Sequence, residues 1–212
     1  MYKHLKRCFD TVGALAALVV SMPILIIAYI TIRIDSPGPA IFRQRRLGLN
    51  GVPFVMLKLR SMTVGAESGG VYESVGDPRV TRVGRMLRKT SIDELPQFIN
   101  ILRGDMSLIG PRPTLEYHPW PLEEYSPEQR RRFSTRPGIT GWAQVQGRKS
   151  LAWDSRLKYD VEYVDKISFL FDFKILIRTI AQVLTNADNV NVSNTAQSST
   201  ISRNQNEERR AR

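Results

Sequence analysis

Two adjacent acidic residues, Asp93 and Glu94, stand at the start of a predicted helix and are the strongest candidates for chemistry in this chain. The N-terminal end of a helix carries partial positive charge, which stabilises carboxylates and attracts phosphate. Arg88 lies just upstream, and Arg112 lies in a proline-flanked loop. Their guanidinium groups suit phosphate oxygens. These residues indicate a site that handles phosphate, and carboxylates with phosphate would also hold a hard metal ion.

The same residues also have structural interpretations, which the sequence leaves open. Asp93 would make a good N-cap, and Ser91 with Glu94 matches a capping box. Arg112 would then form a surface salt bridge. His118 is a weak candidate for a general base, since most isolated histidines are structural or exposed. A helix cap and a catalytic pair are therefore both compatible with this spacing.

Hydrophobic periodicity predicts the elements that position these residues. Residues 95–102 have apolar side chains at helical spacing, and Gly104 is a good helix terminator. Residues 40–45 and 52–59 read as strands, and the Asn-Gly pair between them predicts a hairpin. Residues 77–89 predict a basic amphipathic helix, which would either lie on an anionic surface or face solvent.

The second half of the chain is predicted to be mainly helical. Four prolines exclude a regular helix from residues 111–121, whereas residues 122–133 are compatible with one. Residues 135–148 predict turns and loop with a short strand. Residues 153–184 predict helix, and the last part carries large apolar residues on more than one side. It would therefore touch membrane as well as core.

An uncharged apolar run occupies residues 11–32. At about 1.5 Å per residue it is long enough to cross a bilayer core of about 30 Å. Pro23 would kink such a helix, and the Ser21 hydroxyl is a possible partner for the opened backbone. Basic residues flank the run on both sides. Because basic residues favour the cytoplasmic face, a straight span would send one of the two basic clusters across the membrane. The sequence leaves a transmembrane anchor and a bent, re-entrant helix open.

The bulk composition limits the classes of partner. A net charge of +11 in 212 residues implies anionic partners such as phosphorylated substrates or anionic lipid. Nucleic acid is disfavoured, because the aromatic residues do not alternate with basic ones in a stacking pattern. A single cysteine, Cys8, and two histidines make a zinc site improbable. Residues 186–212 have the composition of a disordered tail.

Six segments of the chain, taken together and in order, resemble the small monotopic phosphoglycosyl transferases, also called bacterial sugar transferases. The segments are Lys-Arg-Cys-Phe-Asp before the apolar run, Asp-Ser-Pro-Gly-Pro-Ala-Ile-Phe-Arg-Gln at 35–44, Leu-Lys-Leu-Arg-Ser-Met at 57–62, Leu-Arg-Lys-Thr-Ser-Ile-Asp-Glu-Leu-Pro-Gln at 87–97, Gly-Asp-Met-Ser-Leu-Ile-Gly-Pro-Arg-Pro at 104–113 and Arg-Pro-Gly-Ile-Thr-Gly-Trp-Ala-Gln-Val at 136–145. The chain departs from the family pattern at Met22, where a serine usually precedes the membrane proline.

The resemblance implies a mainly α fold with a small β-hairpin and a re-entrant N-terminal helix. The protein would be monotopic, with its catalytic domain on the cytoplasmic face of the bacterial inner membrane. It would comprise a basic segment and membrane helix at 1–34, a catalytic domain at 35–185 and the tail at 186–212. Anionic membrane lipids would be partners, nucleic acid would not, and a homodimer is possible.

The resemblance also implies a two-step reaction of a UDP-sugar with polyprenyl (undecaprenyl) phosphate. Asp93 would attack the β-phosphate, release UMP and form a phosphosugar–aspartyl intermediate, which the polyprenyl phosphate would then attack. Asp93 and Glu94 would hold Mg2+. Phosphate oxygens and nucleotide would be bound by a larger set: Lys58, Arg88, Arg112, Pro137, Gly138, Thr140 and Gly141. The resemblance favours an acetamido sugar. The alternative is a membrane-anchored basic interaction module without catalysis.

Overall fold

The structure is a computed structural model and describes residues 2–70, 76–147 and 151–185. Helices predominate in these residues. The helices are α1 (Tyr2–Asp35), α2 (Arg82–Thr90), α3 (Gln97–Arg103), α4 (Pro127–Arg130), α5 (Trp142–Gly147), α6 (Trp153–Lys166) and α7 (Phe169–Thr185). The strands are β1 (Ile41–Leu47), β2 (Pro53–Leu59), β3 (Ser107–Ile109) and β4 (Gly138–Thr140). The mainly α fold with a small hairpin is confirmed.

The predicted hairpin is formed by β1 and β2. The strands are antiparallel, and Ile41 pairs with Leu59 in the register. The connecting turn contains Asn50 at φ 56° and Gly51 at φ 75°. This left-handed region is accessible mainly to glycine and asparagine, which explains why the Asn-Gly pair predicted the turn.

A second, two-stranded sheet brings distant parts of the chain together. β3 and β4 pair in parallel, with Ser107 opposite Gly138 and Ile109 opposite Thr140. The strand predicted within residues 135–148 is confirmed. The loop predicted to follow it is wrong, because Trp142–Gly147 forms α5, which buries Trp142 and Val145 in the core.

Both ends of α1 pack against the same globular domain. Near the N-terminal end, Ala14 is fully buried in one hydrophobic cluster with Met56, Ile101 and Met106. Near the C-terminal end, the chain contributes to another cluster, whose buried members are Ala28, Ile32, Ala40, Leu59 and Leu87. The helix is therefore part of two cores rather than a separate appendage.

Polar contacts fix the same two ends. At the N-terminal end, Lys6 Nζ lies 2.8 Å from Asp172 Oδ2, and Asp10 accepts a hydrogen bond of 2.7 Å from Ser107. At the other end, Arg60 donates to the Ser36 carbonyl at 2.6 Å. These groups are buried or partly buried, so the hydrogen bonds that they form hold α1 in a defined position.

The middle of α1 is apolar and largely exposed. Leu5–Asp35 is the one helix among the described residues long and apolar enough to cross a membrane, with a hydropathy of 2.5. The helix continues through Pro23. The Ser21 hydroxyl donates to the Leu18 carbonyl at 3.2 Å, one residue before the Val19 carbonyl that Pro23 leaves without its helical donor.

The C-terminal helices confirm the prediction for residues 153–184. In α7, Ile175 is fully buried, whereas other large apolar side chains on the helix are exposed to solvent. The exposed set is Phe169, Leu170, Phe173, Leu176, Ile177, Ile180 and Val183. Apolar residues thus occupy more than one side of α7, as its sequence indicated.

Other predictions require correction or remain outside the described residues. Residues 122–133 do not form one helix, because only Pro127–Arg130 is α-helical, between two 3-10 turns. The predicted basic helix begins at Arg82 rather than at residue 77. Thr81 caps this helix, because its side chain accepts a hydrogen bond from the Gly84 N–H. The predicted tail at 186–212 lies outside the described residues.

Candidate active site

Asp93 and Glu94 lie in a 3-10 turn (Ile92–Glu94) between α2 and α3. The capping interpretation is wrong: neither the turn nor α3 has a side-chain cap hydrogen bond, and α3 begins only at Gln97. Ser91 takes a left-handed conformation at φ 57°, which ends α2. The two carboxylates are therefore available for other contacts.

Glu94 is held by two cations. Its Oε1 atom accepts from Lys58 Nζ at 2.9 Å and from Arg112 Nη2 at 2.6 Å. Burial opposes ionisation of Glu94, but the charges of Arg112 and Lys58 outweigh burial and keep its pKa well below the ordinary value. Glu94 is thus an anion at every physiological pH, and it holds Lys58 and Arg112 in place.

Asp93 differs from its neighbour. Its side chain is buried, and burial, assisted by the negative charge of Glu94, raises its pKa to about 6. Lys58, Arg88 and Arg112 partly oppose this rise. At neutral pH the carboxylate is ionised but poorly solvated, which is the condition that makes an oxygen nucleophile reactive.

A cavity of about 600 Å³ contains both carboxylates. The predicted phosphate ligands Lys58, Arg88 and Arg112 line it as well. Arg88 is oriented by a hydrogen bond of 2.7 Å from its Nε to the Ser61 hydroxyl. The remaining wall is partly apolar, with Ile41, Leu59, Phe98, Leu115, Ile139 and Val183. The structure thus gathers five predicted residues around one space large enough for a small-molecule substrate.

Comparison with known proteins identifies the family of this site. The family described as "Bacterial sugar transferase" matches residues 1–186 of the chain. The chain belongs to this family. It is therefore a transferase, and the alternative of an interaction module without catalysis is set aside.

Three relatives illustrate the chemistry found in the family. The chain is 43% identical over 180 residues to the uncharacterized sugar transferase EpsL of Bacillus subtilis, covering 85% of this chain and 87% of that protein. It is 45% identical over 186 residues to a UDP-glucose:undecaprenyl-phosphate glucose-1-phosphate transferase of Caulobacter vibrioides, covering 85% and 70%. A UDP-N-acetylgalactosamine-undecaprenyl-phosphate N-acetylgalactosaminephosphotransferase of Aeromonas hydrophila is 41% identical, covering 87% and 45%.

The predicted nucleotide loop of this sugar transferase is divided between cavity and core. Thr140 lines the cavity, and its hydroxyl lies 2.7 Å from that of Thr179 on α7. Gly138 packs against backbone, since a Cβ there would lie 2.1 Å from the Gly110 nitrogen. A Cβ at Gly141 would lie equally close to the Gly110 carbonyl oxygen. Both glycines therefore permit close packing of β4 and α5 on the segment after β3.

Pro137 and His118 lie in other surroundings. Pro137 accepts, through its carbonyl, a hydrogen bond of 2.9 Å from the Ser107 N–H that aligns β4 with β3. His118 packs edge-on against Trp153 at 5.5 Å, and burial together with the nearby charges of Arg46 and Arg156 lowers its pKa. Their described contacts give both residues a structural explanation.

The sequence analysis did not predict several of the residues that line the cavity. They are contributed by β1, the proline-rich loop, α6 and α7, and they are Arg46, Tyr117, Arg156, Thr179 and Gln182. For Arg46 a usable signal existed. Side chains alternate faces along a strand, so Arg45 and Arg46 must point in opposite directions. One of the pair therefore had to face inward.

The residues present fit a hard divalent cation only with help from substrate. The described ranges contain no group of three or more His, Cys, Asp or Glu side chains that could hold a metal ion. Asp93 and Glu94 supply carboxylate oxygens, and phosphate oxygens of a bound substrate would complete the set. This donor composition is the one that Mg2+ uses with nucleotides.

Proposed function

We propose that this enzyme transfers a sugar 1-phosphate from a UDP-sugar to a polyprenyl phosphate. The products would be polyprenyl-diphosphate sugar and UMP. The relatives from C. vibrioides and A. hydrophila carry names of this reaction type. The observation that carries the proposal is the placement of the buried Asp93 carboxylate in a cavity that also presents Lys58, Arg88 and Arg112.

Asp93 acts as the nucleophile in the proposed first step. One carboxylate oxygen attacks the β-phosphorus of the donor and forms a new P–O bond. The bond from that phosphorus to the bridging oxygen breaks, and the oxygen leaves with the α-phosphate as UMP. A sugar-phosphoryl ester of Asp93 remains. Burial supports this role, because it leaves the carboxylate weakly solvated while the pKa of about 6 keeps it ionised at neutral pH.

The acceptor completes the reaction in the second step. A phosphate oxygen of polyprenyl phosphate attacks the same phosphorus, the bond to Asp93 breaks, and the carboxylate is regenerated. Both transfers concentrate negative charge on phosphoryl oxygens, which fixed cations stabilise. Lys58 and Arg112, held by Glu94, are the cations positioned for this purpose.

Mg2+ would be held by Asp93 and Glu94 together with phosphate oxygens. When bound it neutralises charge on the phosphates and supports in-line displacement. Glu94 would have to share its oxygens between the cation and its present partners. Removal of divalent metal with EDTA is expected to lower UMP release at least 100-fold, and added Mg2+ to restore it. Full activity in EDTA would show that the cationic side chains of Lys58 and Arg112 suffice for the reaction without a metal ion.

We infer further that α1 enters the membrane and returns on the same side. A straight span would separate its two ends by the bilayer thickness, yet Lys6 and Ile32 both contact one globular domain. The exposed apolar middle of α1 and the exposed side of α7 would meet lipid. The basic flanks and α2 would then lie at the cytoplasmic face, where they attract anionic lipids. Homodimerisation stays a prediction.

The test is the Asp93→Asn variant, reconstituted with undecaprenyl phosphate and a panel of UDP-sugars. UMP release is expected to fall by at least 1000-fold, because the amide is a poor nucleophile. Glu116→Gln is the matched control, since Glu116 is a partly exposed carboxylate that pairs with Arg45. It is expected to retain wild-type activity.

Mass spectrometry of the wild-type enzyme, quenched with donor and no acceptor, provides the direct test. It is expected to find the sugar-phosphate mass on the peptide that contains Asp93. Product formation by Asp93→Asn, or an adduct on another residue, would overturn the proposed mechanism. The panel also decides the donor sugar, for which the two named relatives use different groups, glucose and N-acetylgalactosamine.

A further inference from the structure

Arg46 presents a guanidinium group to the cavity but forms none of the described ion pairs of Glu94. It lies on β1 and lines the cavity with Gln44. Its Nη2 and Nε donate to Gln44 Oε1 at 2.6 and 3.1 Å, and its Nη1 donates to the Pro113 carbonyl at 3.1 Å. These described partners are neutral oxygens. They fix the orientation of the fork without neutralising its charge.

The adjacent residue shows what an ordinary surface arginine does in the same strand. Arg45 points to the opposite face of the hairpin, where its side chain is 66% exposed and pairs with Glu116 at 3.0 Å. An exposed pair of this kind contributes little to stability. Arg46, by contrast, is partly buried with neutral partners, and burying a charge in this way is costly. The two residues are therefore a natural matched pair for experiment.

Other basic groups converge on the same region from separate elements. Arg112 belongs to the proline-rich loop, and Arg156 belongs to α6 and stacks on Trp153 at 4.5 Å. Burial, with the positive charge of Arg112, lowers the pKa of Arg46 to about 10, and the same two causes lower the pKa of Arg156. The groups still carry charge at neutral pH. They therefore repel one another in a way that a bound anion would relieve.

The charge balance of the whole cavity points the same way. Seven basic and three acidic residues line it. Glu94 contacts both Lys58 and Arg112 but offsets only one of their two charges, and Asp77, outside the lining, pairs with Arg79 at 2.6 Å. The remaining excess of positive charge is larger than one phosphate beside Asp93 would require. The cavity is thus built for more than one phosphoryl group.

We propose that Arg46 and Arg156 form a second phosphate-binding subsite, which holds a phosphate other than the one that reacts with Asp93. The proposal rests on the function proposed above. Two phosphates of that reaction fit the same chemistry: the α-phosphate of the donor, which leaves in UMP, and the phosphate of the polyprenyl acceptor. Arg46 and Arg156 would bind rather than react, which keeps them distinct from the nucleophile.

The experiment compares Arg46→Gln with Arg45→Gln in the full-length protein. Binding of UMP and of uridine is measured without turnover by thermal shift and titration calorimetry. The Michaelis constants for UDP-sugar and for undecaprenyl phosphate are measured separately. Arg46→Lys tests whether charge alone suffices, since lysine keeps the charge but not the planar fork. Arg156→Gln serves as a second variant in case loss of the Arg46 hydrogen bonds disturbs folding.

If the subsite holds the donor, Arg46→Gln weakens UMP binding at least 10-fold, leaves uridine binding unchanged and raises the Michaelis constant for UDP-sugar. If it holds the acceptor, UMP binding is unchanged and the Michaelis constant for undecaprenyl phosphate rises instead. Arg45→Gln matches wild type in both cases. Folded Arg46→Gln and Arg156→Gln proteins that match Arg45→Gln in all four measurements would overturn the proposal. If Arg46→Gln weakens UMP binding but the wild-type protein shows no transferase activity, the proposed function is refuted and the phosphate subsite is not.

Discussion

Two ion clusters of this sugar transferase, both carboxylate–arginine, differ in their exposure to solvent and to the cavity. Glu94 with Lys58 and Arg112 lines the cavity, and the Arg112 side chain is 39% exposed. Asp160 and Arg132 form a pair at 2.7 Å in which each side chain is 1% exposed. The comparison teaches that charge pairing alone does not mark a functional site. Access to a space that a substrate can enter does.

The enclosed cluster also positions the open one. Arg132 Nη2 donates to the backbone carbonyl of Arg112 at 2.8 Å, while two of its nitrogens contact Asp160 Oδ2. The Arg112 backbone is thereby fixed from behind, and its side chain extends to Glu94. Substitutions in the enclosed cluster should mainly lower stability, whereas substitutions in the open cluster should mainly lower activity.

The largest effect is expected from Asp160→Ala. It leaves the Arg132 charge buried without its carboxylate, which costs about 3–5 kcal/mol of unfolding free energy. Denaturant unfolding in detergent micelles measures this loss. Replacing both residues, as Arg132→Met with Asp160→Leu, is expected to recover most of the loss, because an apolar pair removes the desolvation penalty. An equally unstable double variant would contradict this account of the enclosed cluster.

A smaller effect in free energy, but a larger one in function, is expected from Glu94→Gln. The amide no longer fixes Lys58 and Arg112 electrostatically, so UMP release should fall about 100-fold, which corresponds to about 2.7 kcal/mol in the barrier. Stability should fall by about 1–3 kcal/mol, less than for Asp160→Ala, because Glu94 and Lys58 are mostly buried whereas Arg112 is 39% exposed. Loss of stability comparable to that of Asp160→Ala would show that the open cluster is structural.

The smallest effect is a pH-dependent stability difference between wild type and Asp93→Asn. The folded-state pKa of Asp93 is raised from 3.8 to about 6, so this group stabilises the fold at low pH. That contribution is lost as the pH rises through about 6. Between pH 5 and pH 8 in EDTA, the variant should gain about 1–2 kcal/mol relative to wild type. A difference independent of pH would contradict the raised pKa.

Local patterns predicted those parts of the molecule that local physics determines. The Asn-Gly turn and strand alternation gave the hairpin, and helical spacing with Gly104 gave α3 and its end. The spacing of Asp93 and Glu94 is compatible with a cap, and the nearby Arg88 and Arg112 indicate chemistry instead. The absence of cap hydrogen bonds and the contacts of Glu94 with Lys58, 36 residues away, distinguish these interpretations.

Residues brought together by the tertiary fold could not be predicted in this way. Arg132 and Asp160 are separated by 28 residues, and neither carries a local pattern that indicates the other. The segment of α5 lies within residues 135–148, for which the sequence predicts turns and loop. Its helical conformation is explained by burial of Trp142 and Val145 against α6 and α7, which sequence spacing does not reveal.

The packing of α1 has a practical consequence for anyone who wishes to purify this enzyme in water. Ala14, Ala28 and Ile32 complete two cores of the globular domain, so deleting the helix would uncover apolar surface at both places. A fragment that starts after residue 35 should therefore aggregate rather than yield a soluble catalyst. Preparation will require detergent or lipid nanodiscs around the intact chain.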